Sequence, residues 1–253
     1  MAMEHSRNSA LNIGTSGWSY KHWSGVFYPE EIKPVSFLEY YVKHFRCVEL
    51  NSSFYHLPKE TTIKGWIKRT PNLFIFCPKL SRYITHQKRL TDCDEALERF
   101  FGLFGPMKHR LGPVLIQLPP GLHFNKLLIQ HFSGILRDKY TGYRFAMEVR
   151  HKSWINDNFF DILTKEGIAF VIADSGKRFP YHEVVTSGYV YLRFHGREKL
   201  YASDYSDEIL NDYAGKIRNW LKEGKEVWIF FNNDFGGFAI NNAKRLKELV
   251  DSG

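Results

Sequence analysis

The sequence predicts an α/β fold: a single (β/α)8 TIM-type barrel with a weak or degenerate sixth helix. Three observations carry that expectation. Eight short β-branched or aromatic runs alternate with stretches of helical period. The runs are nearly continuous in apolar residues, as strands buried on both faces are. Each run then turns polar at its C-terminal end, where barrels of this kind assemble their chemistry. A right-handed series of β-helix-β units either winds an open sheet or closes after eight units. The open, dinucleotide-binding form carries a three-glycine fingerprint that Gly14-Thr15-Ser16-Gly17 lacks, and no phosphate-cradling Gly-x-x-x-x-Gly-Lys loop occurs. Closure is the better expectation.

In chain order the predicted strands are 11–16, 47–53, 73–79, 113–118, 144–150, 169–174, 189–195 and 226–232. Pro34 suits a first helical position, with Phe37, Leu38, Tyr41, Val42 and Phe45 on one face behind it. Thr61 is the expected cap of a short helix that buries Trp66 and Ile67. Asp94 precedes Leu97, Phe100, Phe101 and Phe104; Asn125 precedes Leu128, Phe132, Ile135 and Leu136. Each is a capping residue ahead of an apolar stripe. Asn156 or Asp157 opens a helix through Phe159, Phe160 and Leu163. Ile209, Leu210, Tyr213, Ile217, Trp220 and Leu221 recur at helical spacing, as do Ala239, Ala243, Leu246 and Val250. After Asp174 the stretch is short and broken by Pro180, which makes the sixth helix the weak one.

The 253 residues suit one barrel, and no repeat or Ser/Gly/Pro-rich linker divides them. Residues 11–253 read as a single domain behind a polar, flexible extension at residues 1–10. With 43% hydrophobic and 25% charged residues, the chain is too apolar to stay disordered. No apolar run approaches the roughly 20 residues of a spanning helix. The first residues hold no signal-peptide core, so neither a membrane nor secretion is expected. Cys47, Cys77 and Cys93 are odd in number and lack Cys-x-x-Cys spacing. That pattern argues against a disulfide framework or a zinc site and for a reducing cytoplasm.

The strand ends supply the candidate site. Strand one ends in Ser16, Gly17 and Trp18; strand two carries Glu49, Asn51 and Ser53 at alternate positions, then Phe54 and Tyr55. Strand three ends in Lys79, strand four reaches Gln117, and strand five carries Glu148 and Arg150 ahead of His151 and Trp154. Asp174 ends strand six; Arg193, His195 and Arg197 come two apart on strand seven; Asn232, Asn233 and Asp234 close strand eight. A ring of buried ionisable groups implies a charge network, a solvent-filled pocket, or both.

Glu49, Glu148 and His195 are the expected proton movers, His195 because its ordinary pKa lies near neutrality. Lys79, Arg150, Arg193 and Arg197 suit a phosphate or carboxylate. Asn51, Gln117 and Asn233 are expected to orient polar substrate groups, with Asp174 and Asp234 completing the rim. Trp18, Tyr55 and Trp154 either wall a ring-shaped substrate or pack a folded loop. The same charges also read as structural pairs, Glu148 with Arg150 and Asp174 with Arg193. Glu49, Glu148, Asp174 and His195 form a hard donor set for a divalent metal, but the neighbouring arginines oppose a cation, and no metal site or cofactor is assigned.

These strand ends resemble the YecE-like family of TIM barrels, domain of unknown function 72. The resemblance rests on Gly14-Thr15-Ser16-Gly17-Trp18 with Trp23, Phe27 and Tyr28-Pro29. It continues through Val48-Glu49-Leu50-Asn51-Ser52-Ser53-Phe54-Tyr55, Pro78-Lys79, Gln117-Leu118-Pro119-Pro120 and Glu148-Val149-Arg150-His151 with Trp154. Arg193-Phe194-His195-Gly196 and Phe231-Asn232-Asn233-Asp234, ahead of Asn242-Ala243 and Leu246, complete it. The resemblance implies an eight-stranded barrel and no established activity, substrate or cofactor.

The functional expectation is an enzyme of hydrolase, lyase or isomerase type. It would apply acid/base chemistry to a small anionic or phosphorylated substrate, nucleotide- or sugar-derived, at the C-terminal face of the barrel. The alternative is a nucleic-acid-binding protein without catalysis. It draws on the net charge of +8 and on the clusters Lys68-Arg69, Arg82 with Lys88-Arg89, and Lys244-Arg245 with Lys247. No helix-turn-helix, zinc-finger or RNA-stacking motif accompanies those clusters.

Overall fold

The computed structural model describes residues 10–253; the expected extension at residues 1–10 lies, Ala10 apart, outside the described residues. Each predicted run contains a strand: β1 (Leu11–Thr15), β2 (Cys47–Leu50), β3 (Ile75–Pro78), β4 (Val114–Gln117), β5 (Phe145–Glu148), β6 (Ala169–Asp174), β7 (Tyr189–Phe194) and β8 (Glu226–Phe231). Trimming falls mainly on the polar ends, where side chains leave the sheet. All pairings are parallel.

The hydrogen bonds do not draw one closed sheet of eight strands, which corrects the sequence expectation. They draw a curled six-stranded sheet in the order β1-β8-β7-β6-β5-β4 and a two-stranded sheet, β2-β3. Isolated bridges lace the two seams: Ser16 to Glu49 on one side, Phe76 to Leu111 and Lys79 to Leu115 on the other. The first seam has a clear cause. The Tyr41 hydroxyl sits between β1 and β2, accepting the Thr15 N–H at 3.0 Å and donating to the Cys47 carbonyl at 3.1 Å. A side chain thus occupies positions that strand-to-strand bonds would fill. Gly14 permits the close approach, since a Cβ there would lie 2.3 Å from the Cys47 carbonyl oxygen. At the second seam two residues separate the bridged positions on β3 and three on β4. The extra residue falls at Gly112-Pro113, where proline has no N–H to donate.

Alternation along the strands sorts side chains onto two faces. The inner face carries Cys47, Cys77, Leu115, Ala146, Ala169, Val171, Ala173, Tyr191, Trp228 and Phe230, so both sheets contribute to one interior. The outer face carries Val48, Phe76, Ile116, Met147, Phe170, Ile172, Leu192, Phe194, Ile229 and Phe231, which meet the helices in the larger core.

Those helices are α1 (Phe37–Tyr41), α2 (Ser52–Tyr55), α3 (Glu60–Arg69), α4 (Asp94–Phe104), α5 (Lys126–Lys139), α6 (Asp157–Glu166), α7 (Asp207–Lys222) and α8 (Phe238–Asp251). Asn125 caps α5 by accepting the Leu128 N–H at 3.0 Å, and Asn156 caps α6 by accepting from Phe159 at 3.1 Å. Two expected caps differ. Lys59 stands at the N-cap of α3 without a side-chain bond, leaving Thr61 inside the helix. Asp94 is the first residue of α4, where its charge faces the positive end of the helix dipole. The weak sixth helix is absent altogether, because residues 175–188 form no helix. Neither α2 nor the π-helical turn Tyr83–Gln87 was signalled by periodicity. No helix of the described residues is long and apolar enough to cross a membrane.

Candidate active site

The inner face ends in charge. Positions two beyond Cys47, Cys77, Leu115, Ala146 and Tyr191 are Glu49, Lys79, Gln117, Glu148 and Arg193, and strand parity points all five into one interior. Arg193 is the hub. Its Nε donates to Glu49 Oε2 at 3.0 Å and its Nη2 to Glu49 Oε1 at 2.7 Å, while Nη1 donates to Glu148 Oε2. The guanidinium therefore occupies the space between the two carboxylates. Glu49 also accepts the Ser16 hydroxyl at 2.7 Å and the Tyr191 hydroxyl at 2.9 Å, so both its oxygens are saturated. Burial disfavours the Arg193 charge, but Glu49 and Glu148 outweigh it and hold the guanidinium protonated. Burial likewise pushes the Glu148 carboxyl upward, and Arg150 and Arg193 overcome it, holding it well below the usual carboxylate range. Arg150 closes the group with an ion pair to Glu148 Oε1 and a 3.1 Å bond to Gln117 Oε1.

Lys79 differs from the arginines. It is buried, its Nζ donates to Gln117 Oε1 at 2.8 Å, and the ammonium lies 3.9 Å from the centre of the Phe54 ring. No carboxylate forms an ion pair with it among the described residues. Burial, with Arg193 adding repulsion, lowers its pKa to about 7. His195 is fully buried alongside. The Asn232 amide donates to its Nδ1 at 3.1 Å, which leaves the proton on Nε2, 3.5 Å from Glu148 Oε1. Burial and Arg193 lower its pKa to about 4, so the ring is neutral. Among the described residues Arg150 Nε makes no hydrogen bond, and His195 Nε2 has Glu148 Oε1 at 3.5 Å.

Two aromatic residues cover this corner that the sequence reading did not single out. Phe179, on the helix-free segment, stacks its ring 3.4 Å from the Arg150 guanidinium carbon. Tyr201, held in a left-handed backbone conformation, stands edge-on to His195 at 5.8 Å and acts electrostatically on Arg150. Neither lies on a strand, so strand-end parity gives no signal for them.

The remaining candidates lie elsewhere. Asp174 falls on the outer parity of β6 and pairs with Arg197 at 2.7 Å and the Tyr213 hydroxyl at 2.8 Å, rather than with Arg193. Asn233 is likewise turned outward, donating to the Ser203 carbonyl and to Asn242 Oδ1. Asn232 takes the inward position. Trp154 is fully buried and its indole donates to the Leu122 carbonyl at 2.6 Å. Asp234 faces His22 at 3.6 Å, and its carbonyl accepts the Trp23 indole N–H. Trp18 stands edge-on to Trp66 at 5.7 Å beside Asn51, together lining a cleft of about 320 Å³. Tyr55 lies on the outside of α2, lining a larger groove.

The hard donor set does not assemble. No group of three or more His, Cys, Asp or Glu among the described residues is placed to hold a metal ion. The basic cluster on α8 is internally paired: Arg245 with Asp207 and Glu248, Lys247 with Asp251, and Lys244 over the Phe27 ring.

Residues 12–253 match the family described as "Protein of unknown function DUF72". UPF0759 protein YunF of Bacillus subtilis (strain 168) is 27% identical over 271 aligned residues, covering 95% of each chain. UPF0759 protein YecE of Escherichia coli (strain K12) is 26% identical, covering 83% of this chain and 82% of that one. The crystal structure of a DUF72 family protein from Thermotoga maritima MSB8 superposes with a TM-score of 0.86 at 34% identity, over 95% of this chain and 99% of that chain. A DUF72 family protein from Enterococcus faecalis V583, at 22% identity and a TM-score of 0.81, shares the fold.

Proposed function

From the premise that this chain belongs to the DUF72 family, we propose that it is a single-domain (β/α)8 barrel with two loosely laced seams, and that it binds and transforms a small anionic or phosphorylated substrate at the strand C-termini. The observation that carries the reading is Lys79: a buried ammonium beside two arginines, bonded to an amide oxygen and to no carboxylate. A buried cation with no direct ion pair is costly, since Glu148 and Glu49 act on it only at longer range, and an incoming anion relieves that cost. Arg150 Nε, without a partner among the described residues, and His195 Nε2, with only the 3.5 Å contact to Glu148, supply further donors for its oxygens.

In this proposal the proton work passes from the two glutamates to Lys79. A group that titrates near 7 is poised to give and take protons at neutral pH, whereas Glu148 is held ionised and Glu49 is saturated. Glu49 and Glu148 instead fix Arg193, and His195 donates its Nε2 proton as a neutral hydrogen-bonding group. The buried free cysteines suit a reducing compartment, and we place the protein in the cytoplasm. Calorimetric titration with phosphate esters tests the reading. Binding near pH 7 should take up a proton, because an anion raises the Lys79 pKa, and affinity should fall as pH rises above 7. Lys79→Met should abolish both effects. Binding with no proton uptake, untouched by Lys79→Met, overturns the assignment.

A further inference from the structure

Resting on that reading of the anion site, we infer that the groove outside α2 receives a planar ring carried by the same substrate, so that the substrate class is a nucleotide-like ring-bearing phosphate ester rather than a plain sugar phosphate. The groove has a volume of about 510 Å³, and its lining includes Tyr55, Tyr83, Lys88, Arg99, Asp92 and Glu95. That size suits a small organic ligand. Tyr55 is 60% exposed and Tyr83 47%, and neither phenol has a hydrogen-bond partner among the described residues. Among the described residues Tyr83 meets no other ring, and Tyr55 meets Phe54 alone, edge-on at 5.0 Å. Two exposed rings, beside two cations that form no ion pair among the described residues, make a surface on which an aromatic ring stacks.

The groove also lies one ring away from the anion site. Phe54 carries the Lys79 ammonium at 3.9 Å and touches both Tyr55 and His86 at 5.0 Å. A phosphate at Lys79 and a ring at Tyr55 are therefore within the span of one nucleotide. The groove wall is built in an unusual way. A π-helical turn over Tyr83–Gln87 leads into Arg89, Leu90 and Asp92, three non-glycine residues with left-handed backbone. Both features concentrate at functional sites. The turn is pinned from two sides: the Leu90 N–H donates to the Ile84 carbonyl at 3.0 Å, and Arg89 Nη2 donates to the Gly121 carbonyl at 2.6 Å. The Trp18 cleft is the poorer ring site because Trp18 already packs edge-on against Trp66 and the Tyr20 hydroxyl is taken by the Ser16 carbonyl.

The test compares adenosine monophosphate, ribose 5-phosphate and inorganic phosphate by calorimetry on the full chain. The inference predicts that the nucleotide binds at least about tenfold more tightly than ribose 5-phosphate. Tyr55→Ser and Tyr83→Ser should each reduce that advantage, and Tyr83→Phe should keep it, with ribose 5-phosphate affinity unchanged throughout. Equal affinities for nucleotide and sugar phosphate that Lys79→Met still weakens, or an advantage indifferent to both Ser variants, overturn the groove inference while leaving the anion site standing. Loss of the anion site itself reads differently: Lys79→Met then leaves the affinity of every probe, inorganic phosphate included, as it is in the wild type.

Discussion

Lys79 and His195 are buried bases held away from their ordinary protonation, and both leave a signature in stability. Lys79 titrates near 7 in the fold and at 10.5 ordinarily, so between those values the unfolded chain binds the extra proton. Its penalty is full below about pH 7 and vanishes above about 10.5. Lys79→Met should therefore stabilise the protein at pH 7 by about 1–3 kcal/mol while removing anion binding. Thermal unfolding at pH 7 and pH 10 checks it: the gain should shrink at the higher pH. His195 acts in the same direction, at acid pH. Its folded value of about 4 lies below the ordinary 6.5, so its contribution is full above 6.5 and is lost as pH falls toward 4. Urea titrations across that window should show wild type losing about 3 kcal/mol more than His195→Asn. Arg193→Met should be the harsher change, since it leaves Glu49 and Glu148 buried without the guanidinium between them. A loss of about 3–5 kcal/mol in urea unfolding is expected.

Among the elements, the β1/β2 seam has a side chain where a ladder bond would be, and Tyr41→Phe isolates that hydroxyl. The variant leaves the Thr15 N–H and Cys47 carbonyl buried without partners, and should cost about 1–3 kcal/mol in urea unfolding with the slope unchanged. Strand parity also explains which site residues the sequence could reveal. Residues continuing the inner row of each strand (Glu49, Lys79, Gln117, Glu148, Arg193, His195) do converge. Asp174 follows Ala173, itself inner, and so faces outward to Arg197 and Tyr213. The same count places Asn232 inward, two beyond Phe230, and Asn233 outward, a distinction written in the sequence but not drawn from polarity alone. Phe179 and Tyr201 had no such signal. They sit on loops, whose paths follow tertiary contacts rather than residue period.

For the molecule as a whole, eight apolar runs and seven periodic stretches sufficed to find every strand and most helices, because burial on two faces leaves a continuous apolar mark. How the two sheets are laced was not legible: a tyrosine from α1 and a Gly-Pro step shape the seams, and neither effect is written in the alternation of apolar runs. The account as a whole turns on whether the interior offers an anion a cation that no carboxylate pairs with directly. Following the Lys79 ammonium by nuclear magnetic resonance across pH, with and without inorganic phosphate, measures that directly. The account predicts titration near 7 in the free protein and a clear upward move when phosphate is present. A lysine that titrates near its ordinary 10.5 and ignores phosphate would contradict it.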